Sequence, residues 1–263
     1  MLSTATPTTA APCVPLALPR SDAPPPRAVG RSDASMAQRI ADTMKLVLDN
    51  LAPQRRVVRA GDPIYRTGDR FGNLYLLNAG AAKIVGLSAD GREQVVSLKF
   101  RGDWLGFDGI ATAQYGCDAV AMDTGEVWAI RYDELLAASV ACPALLSVLH
   151  VAMSREIARD RDSLMSVCTL PADARVADFL RYWAESLSTR GLRTDQITLR
   201  MTRAEIGNYL GMTLETVSRA LSRLARDGVI EFAERGRRDI RIPDVEALSA
   251  FVQRCLAPER TLQ

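Results

Sequence analysis

A chain of 263 residues, 48% hydrophobic and 24% charged, is long enough for two modest globular domains. A formal net charge of +2 excludes a globally basic nucleic-acid coat, and a single histidine, His150, leaves little for acid–base or nucleophilic catalysis, so no catalytic residue is assigned and no enzyme is expected. No apolar run is long enough to span a bilayer and no signal peptide is legible, so a cytoplasmic protein without membrane contact is expected.

Residues 1–35 hold seven of the 13 prolines and lack apolar periodicity, which predicts a disordered extension. An amphipathic helix follows over Met36–Leu51, with Ile40, Met44, Val47 and Leu48 on one side. From Arg56 to Ile130 the texture becomes β-rich, with short runs such as Leu74-Tyr75-Leu76-Leu77 and Val127-Trp128-Ala129-Ile130. Gly68, Gly80, Gly91 and Gly102 punctuate these runs every eleven or twelve residues. Regular strands with glycine turns predict an antiparallel barrel or jelly roll over 36–141, whose concave interior is a usual place for a ligand.

Pro143 opens a helix to Thr169, within a segment 142–169. Leu146, His150, Met153, Ile157, Asp160, Leu164 and Val167 alternate in steps of four and three. That is a coiled-coil seam with two polar insertions, which predicts a homodimer. The alternative is burial against the same chain's barrel. Twin Asp160 carboxylates across the axis would repel, so either Arg159 and Arg161 neutralise them or the dimer is marginal.

The remainder, 170–263, begins with a helix from Pro171 to Ser188 that packs Val176, Phe179, Leu180 and Trp183 inward. A strand at Ile197-Thr198-Leu199 precedes two short helices joined by a tight turn. Thr202 and Glu205 form a T-x-x-E capping box, and Gly211 supplies the helix exit. Thr213 caps a second helix through Arg226, with Val217, Leu221 and Leu224 inward; Gly207 allows the close approach of a helix–turn–helix. Val229–Phe232 and Asp239–Ile242, around a Gly236 turn, predict a two-stranded wing, and Pro243 opens a final helix.

The outward face of the second helix carries Glu215, Ser218 and Arg219 in its first turns. In a major groove a carboxylate accepts from a cytosine amine, and an arginine grips guanine O6 and N7 with two bonds. An i,i+4 Glu–Arg surface pair is the plainer reading. Between Arg200 and Arg241 there are nine Arg, no Lys and six acids, a local rather than global basic character. Thr202, Thr213, Thr216, Arg223, Arg237 and Arg238 are the expected phosphate contacts.

Barrel, long helix and winged helix in this order resemble the cyclic-AMP receptor protein superfamily, and within it the fumarate-and-nitrate-reduction (FNR) branch. RGDWLGFDGI (Arg101–Ile110) and RMTRAEIGNYLGMTLETVSR (Arg200–Arg219) carry the resemblance. It implies an α+β fold: a cyclic-nucleotide-binding-like barrel, a dimerisation helix and a winged helix-turn-helix. It implies a transcription regulator, in the main an activator, that binds double-stranded DNA as a homodimer. Members with E-x-x-S-R, matched by Glu215, Ser218 and Arg219, read a TTGAT....ATCAA palindrome, and Leu214 agrees with that branch. Oxygen, redox or nitrogen-oxide control is the implied setting. A surface loop matching Leu87–Arg92 implies contact with RNA polymerase, although Arg92 stands where relatives carry an acid. The alternative is a ligand- or redox-sensing barrel whose helix–turn–helix serves only packing.

The departures concern the input signal. Oxygen-sensing members hold an iron–sulfur cluster with three N-terminal cysteines and one in the barrel. Here Cys13 stands alone at the N-terminus, and Trp128 matches the barrel position. Cys117, Cys142, Cys168 and Cys255 are scattered, with no C-x-x-C, so no metal site is assigned. Trp104–Ile130 contains no Arg or Lys to meet a cyclic-nucleotide phosphate. No cofactor is predicted; haem on His150 and an iron–sulfur cluster are the alternatives.

Overall fold

The computed structural model describes residues 34–88, 91–233 and 238–256. The expected N-terminal extension, through residue 33, lies outside them. Helix α1 (Ala34–Asn50) precedes eight short strands: β1 (Gln54–Val58), β2 (Pro63–Tyr65), β3 (Asn73–Ala79), β4 (Ala81–Leu87), β5 (Glu93–Phe100), β6 (Trp104–Leu105), β7 (Asp118–Ala121) and β8 (Gly125–Arg131). They form two antiparallel four-stranded sheets, ordered β1-β8-β3-β6 and β2-β7-β4-β5. The short helix α2 (Gly109–Thr112) lies between β6 and β7.

The continuous apolar run on β3 has a physical reason. Tyr75 and Leu77 point between the two sheets, joining Ile64, Ile84 and Val127. Leu74 and Leu76 point the other way, beneath a helical layer, with Trp104, Trp128 and Ile130. A strand covered on both faces loses the polar half of its alternation. The glycines at 68, 80, 91 and 102 all take positive φ, between 79° and 86°. At Gly102 a Cβ would lie 2.7 Å from Ile40 of α1, so the turn must be bare for the helix to seat.

Three helices complete the layer. The α3 helix (Tyr132–Ala141) was not legible in the sequence; it follows β8 directly and buries Leu135. The α4 helix (Pro143–Thr169) buries Leu145 and Leu149 against α1 and the sheet. Helix α5 (Ala172–Ser188) opens the C-terminal part: β9 (Gln196–Thr198), α6 (Arg203–Leu210), α7 (Leu214–Arg226), β10 (Glu231–Phe232), β11 (Asp239–Arg241) and α8 (Val245–Leu256). The wing is three-stranded rather than two-stranded. Strand β9 pairs antiparallel with β11, so the hairpin is anchored to the segment before the helix–turn–helix.

One buried carboxylate links these layers. Asp103, 8% exposed in the β5–β6 turn, binds Arg159 of α4 at 2.9 Å and Arg190 beyond α5 at 3.0 Å. It also accepts from Phe100 N–H at 2.9 Å. Burial by itself would raise this carboxyl; Arg190, Arg159 and the Phe100 amide outweigh it and hold the group below the usual carboxylate range. A depressed folded value means a contribution to stability present above the unfolded value and lost as pH falls through the folded one. Asp103→Asn, which leaves the buried Arg190 and the half-buried Arg159 short of a charge, is expected to cost about 3 kcal/mol at pH 7. Urea unfolding should show the gap to wild type closing as pH falls through the depressed Asp103 value.

Candidate nucleic-acid interface

Local chemistry builds the helix–turn–helix as the residues foretell. Both halves of the capping box form: Glu205 N donates to Thr202 Oγ1 at 3.2 Å, and Thr202 N donates to Glu205 Oε2 at 2.7 Å. Gly211 takes the left-handed conformation at φ 64° and ends α6. Thr213 Oγ1 then caps α7 by accepting from Thr216 N at 3.2 Å. Gly207 is buried, and a Cβ there would sit 2.6 Å from the Met212 carbonyl oxygen. Arg175 of α5 donates to the Leu210 carbonyl at 2.7 Å, satisfying an acceptor that the end of α6 leaves open.

The inward face of α7 buries Val217, Ala220, Leu221 and Leu224. That packing fixes the helix and turns its first turns outward. Glu215 and Arg219 are exposed and Ser218 is half-buried. Among the described residues no ion pair closes between Glu215 and Arg219, although the Arg219 charge acts on the Glu215 carboxyl. Glu215 remains a strong acceptor: its own backbone amide, the Thr213 hydroxyl and Arg219 hold its carboxyl low. A carboxylate acceptor and a guanidinium donor on one helical face match the hydrogen-bonding edges of a C·G pair.

The expected phosphate contacts divide. Arg238 is exposed and lines a depression with Thr202, Arg203 and Leu199, so the tertiary fold joins the α6 cap to the wing. Thr213 and Thr216 lie side by side, their hydroxyls 3.0 Å apart at the α7 cap. Arg223 is exposed and also paired with Asp173 of α5 at 2.6 Å, a partner fifty residues away. Arg237 lies outside the described residues.

A link that sequence reasoning missed holds this unit to the barrel. The Asn208 side chain of α6 donates to Glu93 O at 2.7 Å and accepts from Val95 N. It thereby satisfies backbone groups of β5, an edge strand. Glu205 also pairs with Lys83 of β4, and Arg200 with Asp123 at 3.0 Å. Glu205 therefore serves as cap and as tether.

The seam of α4 is only partly as expected. Leu146, Met153, Ile157 and Leu164 are 37–63% exposed, so burial against the chain's own barrel is excluded for them. His150, also exposed, borders a shallow depression with Met153 and Ile157. Val167 departs from the row. It is half-buried, and a Cβ on Gly211 would come within 3.5 Å of it. A straight helix drifts about 20° per heptad from a 3.5-residue repeat, so three heptads turn the last position toward its own helix–turn–helix. Asp160 is exposed and, with Val167, lines a cleft between α4, β5, α5 and α6. Arg159 is committed to Asp103 and does not neutralise it.

The barrel interior is filled with side chains. Tyr65 stacks on Tyr115 at 4.1 Å and on Tyr75 at 5.4 Å, and Phe71 meets Tyr115 edge-on. Burial raises both the Tyr65 and Tyr115 hydroxyls well above their ordinary value, keeping them neutral. These residues do not fit a cyclic nucleotide, which needs cationic or amide partners for its phosphate. Nor does the Trp128 position fit an iron–sulfur ligand: its indole is buried, donates to Glu126 at 2.6 Å and lies beneath Arg55. Burial pushes the Cys117 thiol up, away from reactive thiolate. Among the described residues no group of three or more His, Cys, Asp or Glu is placed to hold a metal ion. No helix among them is long and apolar enough to cross a membrane.

Comparison with known proteins agrees with this layout. A model of the Crp-like helix-turn-helix domain matches residues 174–251, and one of the cyclic nucleotide-binding domain matches residues 55–139. The chain is 34% identical over 204 residues to the transcriptional activator protein FnrA of Stutzerimonas stutzeri, covering 78% of this chain and 82% of that one. It is also 34% identical over 183 residues to an anaerobic regulatory protein of Pasteurella multocida, covering 70% and 67%. Among solved structures, FixK2 from Bradyrhizobium japonicum superposes with a TM-score of 0.68 at 28% identity, covering 76% of this chain and 97% of that one.

The close approach at Gly207 yields a test. Backbone, not a movable side chain, opposes a new Cβ there. Gly207→Ala is expected to cost about 1–3 kcal/mol and to lower the thermal midpoint of the C-terminal unit, read by circular dichroism.

Proposed function

The chain belongs to the CRP/FNR family of transcription regulators, and from that premise we propose that it binds a TTGAT....ATCAA-type palindrome as a homodimer. The carrying observation is the outward face of α7, where Glu215, Ser218 and Arg219 stand together on a helix fixed by capping and a tight turn. Arg219 takes the half-site guanine, and Glu215 the cytosine of that pair or its neighbour. Thr202, Thr213, Thr216, Arg223, Arg237 and Arg238 take phosphates, Arg223 with the donors it does not give to Asp173.

In this reading 36–141 is the sensor, 142–169 the dimerisation helix and 170–263 the DNA-binding domain. The protein acts in the cytoplasm, without catalysis, mainly as an activator in anaerobic or redox-related control. The names of the relatives, an anaerobic regulatory protein and an activator, support that setting. The loop at 87–92 faces RNA polymerase; its hairpin closes through Ser88 N to Arg92 O at 2.9 Å, while Asp90 lies outside the described residues.

Gel shifts on the palindrome test base readout. Arg219→Ala should cost about 1–3 kcal/mol and relax preference at one base, whereas Arg238→Ala should weaken all sequences alike and flatten the salt dependence. Equal loss of specific and non-specific binding in Arg219→Ala would assign that residue to phosphate.

Dimer strength follows from Asp160. Its neighbour Arg159 is held by Asp103, so the carboxylate enters the seam uncompensated from that side. Asp160→Ala is expected to shift the protein toward dimer and raise operator affinity, read by sedimentation over a concentration series. A wild-type dimer already tight at nanomolar concentration, unchanged in the variant, would remove Asp160 from control of assembly.

A further inference from the structure

A half-open cavity of about 440 Å³ lies between α1, α4 and the β5–β6 turn, apart from the filled barrel interior. Its volume is within the range of small-molecule sites, about 300–1,000 Å³. Ile40, Leu46, Trp104, Val148 and Val151 give it apolar walls. His150, Met153 and Ile157 of the seam lie on another face of α4, so the cavity and the dimer seam are distinct surfaces.

Its charges do not balance. Arg39, Lys99, Arg155 and Arg159 face Asp42, Asp103 and Glu156, and Asp103 is also held by Arg190 outside the cavity. Arg159 is satisfied by Asp103. Lys99 is the unusual member: its side chain is 2% exposed, yet its three donors meet one acceptor, Glu156 Oε1 at 2.7 Å. Arg39 and Arg155 have no ion-pair partner among the described residues. Asp42 accepts from Gln38 along α1 rather than from either arginine. Burial lowers Arg155, and the nearby Arg159 and Arg39 charges lower it further, against Asp103, which raises it. Arg39 is exposed and Arg155 half-buried at the cavity wall, so both can turn donors to an entering anion beside the buried Lys99, and such charge-assisted bonds would offset the local surplus of positive charge.

We propose that this cavity binds a small organic anion, its head group between Lys99, Arg39 and Arg155 and its apolar body against Trp104, Val148 and Val151. Arg159 lines the cavity and grips Asp103, which also holds Arg190 beyond α5. An anion competing for Arg159 would therefore act on the joint between barrel, α4 and the DNA-binding domain. That regulatory consequence rests on the reading of the protein as a DNA-binding regulator; the binding itself does not.

The test is calorimetric titration of the full-length protein, without DNA, against octanoate, octyl phosphate, octan-1-ol and octylamine. One or both anions should bind with Kd below about 1 mM, and the neutral and cationic chains at least about tenfold more weakly. Carboxylate and phosphate arms identify the preferred head group. The Arg39→Gln/Arg155→Gln double variant should lose at least about tenfold in anion affinity without change toward octan-1-ol. Arg155→Gln alone serves the same comparison if the double variant does not fold. Equal binding of octanoate, octyl phosphate and octan-1-ol, undiminished anion binding in the folded variant, or no binding of either anion would overturn the proposal. A palindrome gel shift on the same preparations separates the two readings. Intact operator binding without anion binding defeats the cavity alone, and anion binding without operator binding defeats only the DNA reading.

Discussion

Asp103 is the constraint on which the architecture turns. A carboxylate in a tight turn at the end of β5 binds one arginine on the long helix and another beyond the first helix of the C-terminal unit. Taking a charge out of water costs several kcal/mol, and only well-placed partners recover it. The three segments are therefore held in one geometry: moving any of them strands a buried charge. Lys99 and Glu156 add a second pairing between β5 and α4 close by. Such polar joints give direction, which apolar packing alone does not.

The long helix works on two sides at once. Leu145 and Leu149 fasten it to the barrel, while Leu146, Met153, Ile157 and Leu164 are left without cover. The uncovered row is the face a second copy would need, since no other described residue of the chain covers it. Toward its end the helix turns Val167 to the helix–turn–helix.

The barrel keeps its fold but not the chemistry its fold usually serves. Stacked tyrosines occupy the space between the sheets, and no cation lies between Trp104 and Ile130. The α6 docking on β5 through Asn208, with Lys83 on Glu205, offers a mechanical path from barrel to DNA-reading unit. Those bonds use the capping residue Glu205 and Asn208 and leave the outward face of α7 clear.

The sequence by itself determined whatever depends on neighbours in the chain. The capping box at Thr202 and Glu205, the Gly211 exit, the Thr213 cap, the recurrent turn glycines and the apolar row of α4 are all written in short spacings. Those features were enough for the family and the fold class. Tertiary structure alone decided the pairing of Arg223 with Asp173, the third strand of the wing, the turning of Val167, and the joints at Asp103 and Asn208. The partners in those polar bonds stand between 41 and 115 residues apart or meet only after two units have packed, as Asp103 and Arg190 do across 87 residues. A charge or amide carries no periodicity, and its partner is chosen by where the chain returns in space. The short-range code therefore names the parts, and long-range desolvation decides how they are joined.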